Sequence, residues 1–594
     1  MTRRWFRVPR VGVQRAVRVL ILFGLAFAIF LAVGRSGFNI TDEGLVLDWS
    51  YRILHGGIPH RDIMTVHIQG SGIVHILDLV APTPVLATSR LVAICEVVAY
   101  SALLAAMTFR TPFHRWGVLH IAMVGAATAV NLNTFPIMAW YTIDGILLCS
   151  LGVYVLVSGR PSPSPLRIAV AMLLVGSAAL MKQSFAPAIP LAALAVAVVR
   201  LPAGWRRCLR DAVVAGAAAT VPLAVYAAWV GAAGGWSDMV RQLTSATPVW
   251  GEQFFTGSTL GPAAQDVILG MQGIVVAVGL AFAAVLVGSQ IRMRGFAAGK
   301  WLQRAGLVVG GSALALTVTN GGLGLYGVWG LAIEEEVLVA LACQAIFRRR
   351  FDGVAFWFLA LGWMVSLSYG PANNNLVAGS IALLILERLW SAAHSPGPAL
   401  PHPGQLALRR VREGLVVVAV LLLMSMAYGA RQANPYRDLP PNQQTSRPEQ
   451  INSAYAWIET GAPTMAFLRQ VDDCIAAYPA TRISIVPDLP AQHVVYNRPA
   501  ALPVTLLEPN DYRGSETQIL DSALSMDAAG DYLILFQSTW DGQGYYKGMP
   551  ATTSLGTPVW DYGDHAFFEA LEAELTGDRH VCGSLIAVYK PPSG

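Results

Sequence analysis

The residues of this chain best suited to chemistry stand at the ends of its apolar runs. Asp42 and Glu43 lie near the start of TDEGLVLDWSYRILHGGIPHRD, which follows directly on the first long hydrophobic segment. Asp62 closes that stretch, and His67 (in TVHIQGSG) and His75 come soon after. Later apolar runs end in a similar way: Asp144 in WYTIDG, Lys182 and Gln183 in LMKQSF, Tyr369 and Asn373 in SLSYGPANNN. Acids beside a helix start can simply complement its dipole. Ionisable groups gathered at one membrane face, however, commonly line a cavity between spans, because polar residues near a bilayer are costly.

The elements that must position these groups are membrane helices. The chain has 594 residues, 54% hydrophobic and 13% charged, with a mean hydropathy of +0.51. A soluble chain carries about 25% charged residues. Apolar runs recur from Arg18 to about Ala430, and we read spans near 19–38, 87–108, 116–131, 142–158, 166–181, 185–200, 211–231, 264–288, 305–320, 326–347, 353–370, 374–393 and 413–430. The expectation is a polytopic α-helical membrane protein of about thirteen helices. Six arginines precede residue 19, and basic residues concentrate in every second loop. The first helix therefore reads as an uncleaved anchor with the N-terminus in the cytoplasm. An odd number of spans then puts the C-terminus outside.

After Ala430 the composition changes. RQANPYRDLPPNQQTSRPEQINS is polar and proline-rich, so 431–450 reads as a linker. Residues 451–594 combine a helical pattern (AYAWIETGAPTMAFLRQVDDCIAAYP) with short β-type runs (TRISIVPD, DYLILFQS, SLIAVYK), the pattern of a small extracytoplasmic α/β domain. Residues 431–594 carry 10 basic and 19 acidic side chains, whereas the first 430 residues carry 31 and 17. The overall basicity thus records positive-inside loops and excludes nucleic acid as the implied partner. Cys474 and Cys582 are the two cysteines of this domain; an oxidising compartment would allow them to pair, and sequence leaves the pairing open.

Residues 39–86 form the first outer loop in this topology. Thr41 is placed to cap a helix with Asp42 and Glu43 in its first turn. Leu45, Trp49 and Ile53 recur every four residues and predict an amphipathic helix lying on the bilayer surface, stopped by HGGIP. Glu96 lies within a span, and Glu334, Glu335 and Glu336 crowd three acids into another apolar segment.

DEGLVLDWSYRILHGGIPHRD, followed by TVHIQG, resembles the acidic first-loop stretch of the GT-C superfamily, integral-membrane glycosyltransferases that use polyprenyl-phosphate sugars. TIDGILLCSLGVY, GSAALMKQ and, beyond the last span, ISIVPDLPAQHVVYNRPA are similar to later segments of the branch holding protein O-mannosyltransferases and aminoarabinose transferases. Gln69 departs from the proline that relatives tend to have, which loosens the assignment of His67. The resemblance implies an inverting transfer of a sugar from a polyprenyl-phosphate donor to an envelope glycan, lipid or protein, at the outer face of a bacterial cytoplasmic membrane. It implies Asp42 as general base, with Glu43 in reserve, and Lys182 against the leaving phosphate. Asp62, His67, Asp144, Gln183, Tyr369 and Asn373 would bind substrate. No cofactor is required; Mg²⁺ or Mn²⁺ is compatible with Asp62 and Asp144, but no local spacing specifies a metal site.

Two other readings remain open at this level. A multispan transporter or lipid-linked-sugar flippase would also carry intramembrane charges, though no internal repeat is evident. A non-enzymatic scaffold would need none of the first-loop acids.

Overall fold

The computed structural model describes residues 10–81, 84–109, 113–132, 137–158, 163–245, 352–367, 375–393, 438–487, 489–537, 565–583 and 585–592, with isolated residues between them. The spans expected near 264–288, 305–320 and 326–347, most of the one near 413–430, and Glu334–Glu336, Tyr369 and Asn373 lie outside the described residues.

The chain is predominantly helical. Its first eleven helices are α1 (Arg10–Ile29), α2 (Leu45–Leu54), α3 (Gly70–Val74), α4 (Ile76–Leu79), α5 (Val85–Phe109), α6 (Val118–Asn131), α7 (Tyr141–Val157), α8 (Pro165–Met181), α9 (Ala188–Arg200), α10 (Trp205–Ala232) and α11 (Trp236–Ser245). Gly353–Ser366 and Asn375–Ala393 follow. Among the described residues, four helical stretches are long and apolar enough to cross a membrane: Gly12–Gly34, Val85–Phe109, Gln183–Arg200 and Trp205–Ala232. Shorter apolar helices, including α6, α7 and α8, pack between them. Small residues allow the close approaches: a Cβ on Gly152 would meet the Ala171 carbonyl at 2.7 Å.

The C-terminal region holds a four-stranded sheet in the order β1-β2-β4-β3: β1 (Arg482–Val486), β2 (Gly530–Gln537), β3 (Asp578–Cys582) and β4 (Leu585–Pro592). β1 and β2 are parallel, with Ile483 opposite Leu533, and the connection between them carries the helix Glu516–Ala529, as a parallel crossover requires. β4 runs antiparallel to both β2 and β3. β2 is apolar almost throughout (DYLILF) because both of its faces are covered. Ile534 and Phe536 face Ile519 and Leu571, while Leu533 and Leu535 face Leu468 and Val471 of the helix Ala462–Ala477. The three β-type runs of the sequence are β1, β2 and β4; β3, with polar Asp-Arg-His at its start, was not expected. Cys474 and Cys582 form a disulfide between Ala462–Ala477 and β3 across 108 residues.

One apolar cluster runs without a break from the helices (Phe30, Trp49, Ile143) into the sheet layer (Ile483, Leu533, Leu585). Asp438, within the expected 431–450 linker, takes part in this joint. Asp438 accepts from the Phe38 backbone N–H (2.8 Å) and the Thr460 hydroxyl (2.6 Å), while Gly37 N–H donates to the Glu459 carbonyl at 2.8 Å.

Candidate functional site

Helix α2 is the element that organises the first loop. It starts at Leu45 after Gly44, whose φ is +100°, so Thr41 is not its cap and Asp42 and Glu43 precede it. Only glycine fits at position 44: a Cβ there would come within 2.5 Å of the Ala491 backbone. Every residue from Leu45 to Arg52 is buried. The surface helix expected from the Leu45–Trp49–Ile53 stripe is therefore sandwiched. Trp49 packs against Gly72 and stacks near Tyr141 (centroids 6.0 Å apart), while the opposite face meets the C-terminal domain.

That second face is polar. Asp48 is fully buried; its Oδ1 accepts from His493 Nδ1 at 2.6 Å and its Oδ2 from the Thr505 hydroxyl at 2.6 Å. Arg52, one turn on, pairs with Oδ2 at 2.9 Å through its Nε and donates to the Leu502 and Val504 carbonyls at 3.0 and 2.7 Å. Burial pushes the Asp48 carboxyl up, but Arg52 and His493 more than reverse this, leaving it below the usual carboxylate range. Glu43 is also committed: Arg90 Nε and Nη2 reach its two oxygens at 2.7 and 2.6 Å, and Arg90 donates further to the Gly34 and Gly37 carbonyls. Asp42 is partly exposed and accepts from Asn39 Nδ2 at 3.1 Å.

Two of the expected substrate residues converge on the ring of Tyr141, the first residue of α7, and a third braces the loop beside it. His67 stacks near it (centroids 5.1 Å apart), and Lys182 Nζ lies 5.2 Å from the ring centroid. Lys182 breaks the helical run after α8 with an extended backbone, which turns its ammonium inward to donate to the Thr142 hydroxyl at 2.9 Å. Gln183 donates to the Val66 carbonyl at 2.6 Å, fixing the strand of loop that carries His67. From the C-terminal domain, Asp511 reaches His67 Nε2 at 3.2 Å, and its carbonyl accepts from the Val66 N–H. Burial lowers the Lys182 pKa from 10.5 to about 7, so an amine that an anion would hold charged stands together with an imidazole and aromatic faces (Trp49, Trp140, Tyr141), suited to an anionic ligand with an apolar or sugar-like portion.

Asp144 is not part of this group. Three residues beyond Tyr141 on α7, it faces a second cluster: its Oδ1 lies 3.2 Å from His75 Nε2, and Asp78 Oδ2 lies 2.7 Å from His75 Nδ1. Asp62 is apart from both, exposed and paired with Arg61 at 2.7 Å; partial burial raises its carboxyl, but the Arg61 bond and the Ile58 N–H outweigh that and lower it. Sequence reasoning missed Asp48, His493, Asp511 and Tyr141. The i, i+4 spacing of Asp48 and Arg52 was the legible signal for the first; contacts that join residues more than 400 positions apart leave none.

Compared with known proteins, the chain matches no family model and no curated sequence.

Proposed function

We propose that this chain is an inverting glycosyltransferase of GT-C type, moving a sugar from a polyprenyl-phosphate donor to an envelope glycan, lipid or protein. In this reading about thirteen spans hold the chain in a bacterial cytoplasmic membrane, with the N-terminus inside and the C-terminal domain on the outer face. The observation that carries it is the convergence of Lys182 and His67 on Tyr141, with Gln183 holding the Val66 carbonyl of the segment that carries His67. Lys182 meets the phosphate oxygen that gains charge as the anomeric C–O bond breaks. Asp42 takes the proton of the acceptor hydroxyl as its oxygen attacks the anomeric carbon, and polyprenyl phosphate leaves. Glu43 stands in reserve, since both of its oxygens serve Arg90.

The test is transfer from labelled polyprenyl-phosphate sugars in membranes containing equal amounts of wild type and Asp42→Asn. Loss of a general base lowers the rate by about 10²–10⁴-fold. Transfer that survives the substitution removes Asp42 as base.

A second reading, a transporter or lipid-linked-sugar flippase, draws on the His75–Glu96–Asp144 cluster inside the helical bundle, since buried ionisable groups also mark ion pathways. Donor movement across proteoliposomes, with no sugar reaching an acceptor, would select it.

A further inference from the structure

The second cluster joins four elements. His75 sits between α3 and α4, Asp78 on α4, Glu96 on α5 and Asp144 on α7. One donor atom each from His75, Glu96 and Asp144 lies within 4.8 Å of the other two. Asp144 is only 2% exposed, and Glu96 Oε2 and Asp144 Oδ2 are both buried and meet no N–H or hydroxyl donor among the described residues; the Glu96 and Asp144 side chains hydrogen-bond to each other instead. Three carboxylates around one imidazole call for more positive charge than that ring supplies, because like charges gathered away from water repel strongly. Two buried carboxyl groups hydrogen-bonded to each other must hold a proton between them, a place that a divalent cation can take instead.

We propose that His75 Nε2, Glu96 and Asp144 bind one divalent cation, Zn²⁺ or Mn²⁺. Asp78 acts behind the ring: by accepting from Nδ1–H at 2.7 Å it fixes the tautomer and leaves Nε2 to face the ion. One imidazole and two carboxylates suit these ions better than Mg²⁺, which takes oxygen ligands and keeps most of its water. Ligand atoms about 2.1 Å from zinc stand roughly 3.4 Å apart in a tetrahedron, so side-chain rotation closes the group. Binding displaces the Nε2 proton that otherwise bridges to Asp144. The site is independent of the glycosyl-transfer reading, since none of its ligands touches the Tyr141 group in any hydrogen bond or ion pair described above.

Metal content tests it without any sugar donor. The full chain in detergent is stripped with chelator, equilibrated with Zn²⁺ or Mn²⁺ alone, desalted and analysed by mass spectrometry of the metal. Wild type should retain about one equivalent, and Asp144→Asn less than about a tenth of that. Bound Mn²⁺ should show ¹⁴N coupling by electron spin-echo spectroscopy, lost in His75→Gln. Asp78→Asn, which keeps all three ligands, should weaken affinity by roughly 10–100-fold, so the test survives misfolding of the other variants. Equal metal in wild type and Asp144→Asn, Mn²⁺ without ¹⁴N coupling, or an unchanged affinity in Asp78→Asn would each overturn the assignment.

Discussion

Two buried histidine–carboxylate groups, each with a member in the first loop, differ in how their charges are met. In the joint between α2 and the C-terminal domain, Asp48 has a partner for each oxygen, and His493 faces oxygen on both sides, Asp48 Oδ1 and the Ile483 carbonyl at 3.0 Å. In the group formed by His75, Asp78, Glu96 and Asp144, carboxyl groups outnumber cations, and Glu96 and Asp144 bond each other for want of another donor among the described residues. The first arrangement is closed and holds surfaces together. The second carries an excess of acceptors, which stabilises nothing by itself and needs a proton or a cation to complete it.

The closed group should therefore be the more sensitive to loss. Arg52→Met removes the cation from a buried pair and frees the Leu502 and Val504 carbonyls. Breaking one partner of such a pair costs about 3–5 kcal/mol, which thermal unfolding in detergent would show as a large fall in Tm. Asp48→Asn combined with Arg52→Met should cost less than the two single losses added, by about 0.5–3 kcal/mol of coupling. Additive losses would mean that Arg52 acts through its carbonyl bonds alone.

How much of this was legible depended on sequence distance. Periodicity located α5 through α10 and the strands β1, β2 and β4 within a few residues, because each answers to a local pattern of apolar side chains. It also found the Trp49 stripe, but predicted a bilayer surface where the C-terminal domain stands; an amphipathic pattern shows that a face is buried and not what buries it. Among the site residues, His67, Lys182 and Gln183 were found by residue type at the ends of apolar runs; the first two stand against Tyr141, and Gln183 bonds the Val66 carbonyl beside His67. Asp144 was found by the same signal but belongs to a different group, since three residues along α7 turn its side chain some 300° from that of Tyr141. Asp511 and His493 gave no signal at all. Their partners lie in the first loop, and no local spacing records a contact across more than 400 residues.

A third histidine sets the pH behaviour of the same loop. His60 is buried against Gln242 of α11, with Nδ1 2.8 Å from its Oε1, and burial lowers its pKa from 6.5 to about 4. The folded protein thus keeps this ring neutral where the unfolded chain takes up a proton. Stability is complete above about pH 6.5, falls as the pH drops towards 4, and has lost its full share below that, by about 3 kcal/mol at most. His60→Gln should flatten this acid limb of the stability profile, whereas an unchanged limb would place the titrating group elsewhere.

Glu96→Gln gives the smallest effect and separates the two histidine groups most sharply, because it reverses in sign. In metal-free protein it removes one of the crowded carboxylates and supplies amide donors beside Asp144 Oδ2, so stability should rise, or at least not fall, by about 1 kcal/mol. The comparable neutralisation at the closed joint, Asp48→Asn, lowers stability because Arg52 loses its counter-charge. With Zn²⁺ present the sign at Glu96 should invert, since the wild type gains RT ln(1 + [L]/Kd) from the ion and the variant gains less. A fall in metal-free stability on Glu96→Gln would mean that the carboxylate is already balanced by a donor, and the two groups would then be alike in kind.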